Sequence, residues 1–445
     1  EEMATVLKEK MRQGEFKIPY LPVRKLTDID LISELNVEKF ELAKSGHIMF
    51  SHPEGCYSED TRVFTKKGLK YVHELHENDL ILTLNPETHR IEFQKPLNIF
   101  KYRYSGKMYH FQTRFIDLLV TPNHNMYVKY KDRHKGRTWK TGFKFMKAED
   151  VANFHLRNVV VKTKGEWKGR SKAFFKLPKI EKSTHKRRQV EHIPIDLWLK
   201  FLGFWLAEGS APLEDRKAKR VCIRNKDSEK LREIKNVLEQ MGFNPHVDYK
   251  IGQITIWSKQ LHEYLKQFGH AKDKFIPNEV KNLPSEKLRL FLTYLIKGDG
   301  SFRDGKPRLF FTSSEKLAND VLEVALKAGY SAKISKRISG FMKSTGYVIR
   351  LREHGNGEHS LCRVKEEYYD GLVWCVEVPN HIILVERNGK LCFCGNSHDD
   401  VFWAVALAVY AAVKYAPITV ARGKRILWAF GKALKNVWGW SRKRL

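Results

Sequence analysis

The sequence predicts a mixed fold: β-rich flanks, residues 56–160 and 366–396, on either side of an α+β domain built from two repeated copies. Three observations predict it. Residues 56–130 read as short strands broken by turn residues, with no long helical period. The strand pattern returns at 373–394. Between these pieces lies a self-similar stretch, the signature of a duplicated supersecondary unit.

Taken in order, residues 1–55 read as short helices and strands that close on the polar Ser51-His-Pro-Glu-Gly55. Candidate strands follow at Thr61–Phe64, Leu80–Leu84, Lys107–Thr113 and Asp117–Val120, split by Asn85-Pro86 and Pro122-Asn123. Residues 162–192 form a basic, irregular stretch and are expected to be a linker or a DNA-facing arm. Helical periodicity begins at Ile195. Strands return at Val373–Val378 and Ile382–Val385, near the turn Arg387-Asn388-Gly389. After Ser397 the composition shifts to an apolar helix, Val401–Tyr415, and a basic tail.

Composition narrows the function. Of 445 residues 42% are hydrophobic and 12% aromatic, which excludes a disordered chain. The longest uncharged apolar run, Val401–Val413, is shorter than the ~20 residues a bilayer span needs. No charged segment leads into an apolar one at the start, and six cysteines are too few for a disulfide framework. The expectation is a cytoplasmic, reducing compartment, with no secretion and no membrane. The net charge of +30 is uneven. Residues 1–55 carry −2 and 397–445 carry +7, whereas 56–396 hold 64 basic and 39 acidic residues. That excess points to a polyanion partner, most simply double-stranded DNA.

The repeat carries chemistry. Phe201-Leu-Gly-Phe-Trp-Leu-Ala-Glu-Gly209 and Leu292-Thr-Tyr-Leu-Ile-Lys-Gly-Asp-Gly300 are apolar helices that each end on an acid and a glycine. Each is followed by a strand (Arg220–Arg224, Arg308–Phe311), then by Ser228-Glu-Lys-Leu231 or Ser314-Glu-Lys-Leu317 opening an amphipathic helix. Those helices end at Met241-Gly-Phe243 and Ala328-Gly-Tyr330. The offsets are 91 residues at the acids, 86 at Ser-Glu-Lys-Leu and 87 at the closing glycines. Gly203, Ala207 and Gly298 are small enough for two helix backbones to approach closely. Glu208 and Asp299 then meet at the foot of the pair, as two carboxylates for a Mg²⁺ ion that keeps its waters. By contrast, Gly300–Pro307 only imitates a phosphate-binding loop, because Pro307 has no hydroxyl and no helix can start there.

This repeat resembles the LAGLIDADG homing endonucleases in their single-chain form, over roughly 195–365. The resemblance implies a monomeric, Mg²⁺-dependent double-strand DNA endonuclease with two pseudo-symmetric halves. Tyr294 departs from the family's small residue and puts tight helix packing in question.

The β-rich flanks carry a second chemistry. Cys56 follows Gly55 directly, Asn396 precedes Ser397, and Thr121-Pro-Asn-His124 lies between. A thiolate is a strong nucleophile toward the unhindered Gly55 carbonyl. Thr121 and His124 can polarise the Gly55–Cys56 amide, donate to the oxyanion and protonate the leaving nitrogen. Ser397 can accept the acyl group, and the Asn396 side chain can attack its own carbonyl.

Cys56-Tyr-Ser-Glu-Asp-Thr61, Thr121-x-x-His124, Val373–Val385 with His381, and Cys394-Gly-Asn-Ser397 resemble the conserved blocks of inteins over 56–396. The resemblance implies an all-β horseshoe-like splicing domain (56–160 plus 366–396) with an inserted α+β pseudo-symmetric endonuclease domain. It divides the chain into a host segment 1–55, a first splicing half 56–161, the basic stretch 162–192, the endonuclease 193–365, a second splicing half 366–396 and a host segment 397–445. It gives Cys56 the first acyl shift, Ser397 the transesterification and Asn396 the cyclisation, helped by His381, with no cofactor for splicing. Gly395 departs from the family's usual His, and Cys375 from its frequent Asp. A thiol at 375 could tune the first step, pair with Cys56 or compete as a nucleophile; the plainer reading of Cys375, Cys392 and Cys394 is small buried apolar side chains.

Excision of 341 residues joins Gly55 to Ser397. The joined flanks, with Ser397-His-Asp-Asp400 before an Ala/Leu helix, resemble the nuclease end of viral terminase large subunits, which implies metal ligation by Asp399 or Asp400. The other reading of the whole chain is a DNA-binding protein with degenerate splicing residues and an inactive nuclease.

Overall fold

A computed structural model describes residues 39–42, 48–51, 55–131, 142–180, 189–212, 219–338, 345–353 and 355–396. The chain divides into two compact units, 1–54 with 398–445, and 55–397. In the first unit Lys39–Leu42 pairs antiparallel with Ile48–Ser51. Ser397, Asp399, Asp400 and the helix expected at 401–415 lie outside the described residues.

The second unit is a mixture of sheet and helix. Its first strands are β1 (Tyr57–Ser58), β2 (Arg62–Thr65), β3 (Ile81–Leu84), β4 (Asn98–Gln112), β5 (Asp117–Val120), β6 (Asn125–Tyr130), β7 (Lys144–Lys147) and β8 (Val159–Lys162). β4 is far longer than the expected 107–113. Phe100, Tyr102 and Tyr104 alternate with Lys101 and Arg103, and the aromatic side packs on the core while the basic side faces water. The density of basic residues hides that period of two from a composition reading.

The inserted part begins with α1 (Ile195–Glu208), followed by β9 (Gly209–Ser210), β10 (Val221–Arg224), α2 (Ser228–Gln240), β11 (His246–Asp248) and β12 (Gln253–Ile256). The order recurs as α3 (Ser285–Asp299), β13 (Gly300–Arg303), β14 (Lys306–Thr312), α4 (Glu315–Lys327), β15 (Ser331–Ile338) and β16 (Thr345–Arg352). Both sheets run first, second, fourth, third. The second helices start by different devices. Ser314 Oγ caps α4 by accepting from Leu317 N–H, whereas Asp227 caps α2 through Glu229 and Lys230, so Ser228 is already inside the helix. Both close on a left-handed glycine, Gly242 at φ 88° and Gly329 at φ 83°.

β17 (Val364–Glu377), β18 (Ile382–Arg387) and β19 (Lys390–Gly395) return to the first domain. β17 pairs along its whole length with β4, from Val364 opposite Phe111 to Glu377 opposite Asn98. With β1 and β5 it closes a small barrel. β19 pairs with β18 and touches β15 at Lys390, so the sheet of the second repeat continues into the sheet of the split domain.

The basic stretch 162–192 is largely packed rather than a free arm. Phe175 stacks on Trp198 at 3.9 Å, Phe175 and Leu177 are buried, and Trp167 Nε1 donates to Leu283 O at 3.0 Å. Its few apolar residues dock on the helices, Lys162 and Lys164 are buried, and Lys168, Lys172, Lys176 and Lys179 are exposed; residues 181–188 lie outside the description. No helix among the described residues is long and apolar enough to cross a membrane.

Candidate functional site

At the first seam, β1 pairs with β5 through Tyr57 and Val120, which sets Cys56 beside Thr121. Thr121 clamps it from both sides: Cys56 N–H donates to Thr121 Oγ1 at 2.8 Å, and Thr121 N–H donates to Cys56 O at 3.0 Å. The hydroxyl therefore holds the nitrogen of the Gly55–Cys56 amide. The Pro122-Asn123 turn closes with His124 N–H on Thr121 O at 3.1 Å and brings the imidazole back beneath the seam. His124 is fully buried; burial lowers its pKa to about 4, and the Gly55 backbone opposes the fall. It is neutral at pH 7, with a single N–H to donate. A Cβ on Gly55 would collide with the Cα of His124 and lie 2.9 Å from Asn123 O, so only glycine fits before Cys56.

The second seam reaches the same place. Tyr57 Oη donates to Gly395 O at 2.6 Å, and Cys394 Sγ lies 3.3 Å from His124 Nε2. Burial raises the Cys394 pKa to about 11, which keeps that thiol protonated. Asn396 is fully buried, with its N–H on His381 O at 3.1 Å and its Nδ2 on Val376 O at 3.2 Å. Its Oδ1 is buried and finds no hydrogen-bond partner among the described residues. His381, at φ 54°, turns the chain so that its carbonyl meets Asn396. Cys375 and Cys392 are buried in the same cluster, beside Tyr57.

The second candidate site lies at the crossing of α1 and α3. A Cβ on Gly203 would stand 2.8 Å from Leu295 N and 3.0 Å from Phe291 O; one on Gly298 would collide with Ala207. The helices touch backbone to backbone despite Tyr294. Its main chain faces Gly203 while its ring swings aside against Phe204, with centroids 5.2 Å apart. Glu208 and Asp299 end the two helices. Burial raises both pKa values, and for Glu208 the charge of Asp299 adds to the rise. Asn225 Nδ2 donates to Glu208 Oε2 at 2.6 Å. Two half-buried carboxylates that repel each other suit a divalent cation. Among the described residues no cluster of three or more His, Cys, Asp or Glu could hold one.

Sequence reasoning missed Lys274. Its Nζ donates to the carbonyls of Trp205, Leu206 and Gly209 at 3.0, 2.9 and 2.8 Å, closing the end of α1 beside the acids. Burial lowers its pKa to about 8 against the pull of Glu208 and Asp299. No spacing could have revealed it, since it lies 66 residues beyond Glu208 and outside both repeat motifs.

Residues 199–269 and 286–368 match the LAGLIDADG-like domain family. The chain carries that domain, and both acids lie within the matched stretches. Relatives of the whole are spread over unlike proteins. The ATP-dependent Clp protease proteolytic subunit of Chlamydomonas moewusii is 29% identical over 65% of this chain and 29% of its own length. A C-terminal section of RNA polymerase subunit beta from Stigeoclonium helveticum is 26% identical over 78% of this chain and 36% of its own. Ribonucleoside-diphosphate reductase subunit beta of Aquifex aeolicus is 24% identical over 78% and 51%. The chain therefore spans about half or less of the length of these relatives. Among solved structures, the AceL NrdHF class 3 split intein is 11% identical, covering 77% of this chain and 99% of that one at a TM-score of 0.27. The homing endonuclease I-DmoI in complex with DNA and Mn is 12% identical, covering 36% and 90% at a TM-score of 0.27.

Proposed function

We propose that residues 56–396 are a self-splicing element that excises itself and joins Gly55 to Ser397, and that its inserted domain, 193–365, is a site-specific double-strand DNA endonuclease. The observation that carries the reading is that residues 338 positions apart share one buried site: Tyr57 holds the Gly395 carbonyl, and His124 lies beside both Gly55 and Cys394. The relatives add an independent argument. A protease, a polymerase and a reductase share no chemistry, so a segment common to them and to this chain is a transferable insertion rather than a host function.

In this reading Cys56 Sγ attacks the Gly55 carbonyl carbon. The C–N bond to Cys56 breaks, the nitrogen takes a proton, and a thioester remains. Thr121 Oγ1 fixes that nitrogen, and the neutral His124 supplies the adjacent hydrogen bond. Ser397 Oγ displaces the thiol, Asn396 Nδ2 closes on its own carbonyl and releases the Ser397 amine, and an oxygen-to-nitrogen acyl shift leaves a peptide bond. Each step is intramolecular, so proximity supplies most of the rate. His381 orients Asn396 through its backbone carbonyl.

For the endonuclease, Glu208 and Asp299 are the ligands for Mg²⁺. When bound, the ion stabilises charge developing on a scissile phosphodiester. The chain contributes the crossed helices that fix both acids, Lys274 that closes the end of α1, and a basic sheet surface for DNA. In β16, Arg350 and Arg352 alternate with buried Ile349 and Leu351, which turns the arginines to the opposite face of the sheet. Residues 1–55 and 397–445 are host segments, and the terminase-like reading of the host rests on Ser397-His-Asp-Asp400 alone.

The test is the mass of the expressed product. Wild type yields a 341-residue element and a 104-residue ligated host piece, whereas Cys56→Ala with Asn396→Ala leaves 445 residues intact. An intact wild-type chain under reducing conditions sinks the splicing reading. Separately, Glu208→Gln or Asp299→Asn abolishes metal-dependent duplex cleavage and leaves splicing in place.

A further inference from the structure

We propose that Asn125 is a catalytic residue of the second seam, whose side-chain amide stabilises the oxyanion formed on the Asn396 main-chain carbonyl during cyclisation. The proposal rests on the splicing reading and adds a group to it. Asn125 Nδ2 donates to Asn396 O at 3.2 Å. That oxygen belongs to the carbon that the Asn396 side chain attacks, so the donor already stands where negative charge develops.

The donor is rigid. Asn125 opens β6 directly after the Thr121–His124 turn and pairs across to Lys147 on β7. Its own carbonyl presses on Gly395, while its side chain reaches one residue further to Asn396. One residue thus lines the outgoing strand with its backbone and touches the reacting carbonyl with its side chain. Such preorganisation makes a single hydrogen bond effective.

The same geometry accounts for Gly395, where intein-like sequences usually have His. A Cβ at 395 would collide with Asn125 O and stand 3.0 Å from the Phe145 ring. No side chain fits there, and Asn125 and Phe145 fill the space. The amide of Asn125 is a donor at every pH, unlike an imidazole.

The step balances within the chain. Asn396 Nδ2, held in rotation by Val376 O, adds to the Asn396 carbonyl carbon, and the carbonyl electron pair moves onto oxygen against the Asn125 N–H. Collapse breaks the bond to the Ser397 nitrogen, which takes the proton lost from Nδ2. The element is left with a C-terminal aminosuccinimide, and neither oxidant nor water is consumed.

The test separates the two seams in the full chain. In a Cys56→Ala background, release of 397–445 reports cyclisation alone; in an Asn396→Ala background, cleavage by a small thiol reports the first acyl shift alone. Asn125→Ala is expected to slow cyclisation by about 10²-fold and to leave thiol-driven cleavage unchanged. Asn125→Asp, of the same shape but without the donor, is expected to do the same, and it stands in if the alanine variant fails to fold. Equal slowing of both reactions, or slowing of neither, overturns the proposal and leaves Asn125 a structural residue. If the wild type produces no fragments, the splicing reading fails and takes this inference with it. If the wild type splices and both Asn125 variants splice equally fast, only the inference fails.

Discussion

At the helix pair, Gly203 and Gly298 let α1 and α3 touch; at the seam, Gly55 and Gly395 let two strand ends touch the His124–Asn125 corner. The device is shared, and what it leaves for chemistry is opposite. Beneath the helices it leaves two half-buried carboxylates whose pKa values burial raises. At the seam it leaves a buried cluster of neutral groups: an imidazole with a pKa near 4, a thiol near 11 and an amide oxygen with no partner among the described residues. A site that acts once on its own backbone can hold every reactant inside and dispense with charge. A site that acts on a polyanion must keep its charges and leave a face open. Burial favours the neutral form at both sites; what differs is that Lys230 and Lys274 pull the two carboxylates back toward their charged form.

Four changes break or sharpen that contrast. The largest effect is expected from Gly395→His. A family-based argument predicts rescue of cyclisation, whereas the collision with Asn125 O predicts displacement of the second seam and a loss of about 10²-fold in ligated product. The yield of ligated host by mass spectrometry decides between them. Next is acid. His124 is held neutral with its pKa below that of the unfolded chain, so the unfolded state binds the proton first as pH falls. Stability is fully present above about pH 6.5, and between pH 7 and pH 5 the loss is about 2 kcal/mol. Urea unfolding of the Cys56→Ala/Asn396→Ala precursor at the two pH values measures it, and His124→Gln abolishes that share of the slope.

Third is Gly203→Ala, whose methyl meets the α3 backbone at Leu295 and Phe291. Overpacking of this kind costs about 1–3 kcal/mol. Duplex cleavage falls while splicing persists, and a parallel loss of both would show the two sites to be mechanically one. The smallest effect belongs to Glu208→Gln. The folded pKa of Glu208 is raised, so its charged form weakens the fold as pH rises through that pKa. Neutralising it therefore leaves the melting temperature unchanged or higher while DNA cleavage is lost; a lower melting temperature would contradict the burial argument.

Much of this was legible in the sequence because the signals were local or repeated. The acid-glycine helix ends announce α1 and α3, and both lie where the repeat puts them. Cys56, Thr121, His124 and Asn396 were legible as residue types whose chemistry fits together, and the strand pairing sets Cys56 beside Thr121. Asn125, Asn225 and Lys274 were not legible. Asn125 and Lys274 reach segments far away in sequence, Asn225 reaches back 17 residues to Glu208, and nothing around any of them repeats or alternates. The packing of 163–180 was hidden for another reason: a few apolar side chains, Phe175 and Leu177 foremost, fix a segment whose composition is dominated by lysine. Tyr294 shows the converse, since a bulky residue in a small-residue slot is harmless when its backbone rather than its ring faces the neighbour.

Gly55 precedes the proposed splicing element, yet the His124 backbone leaves it no room for a side chain. The element therefore dictates the last residue of whatever polypeptide precedes it. A foreign protein grafted ahead of Cys56 should be released and ligated when it ends in glycine and should stall when it ends in valine, whatever the rest of its sequence. Portability, for this chain, is set by one missing methyl group in its neighbour.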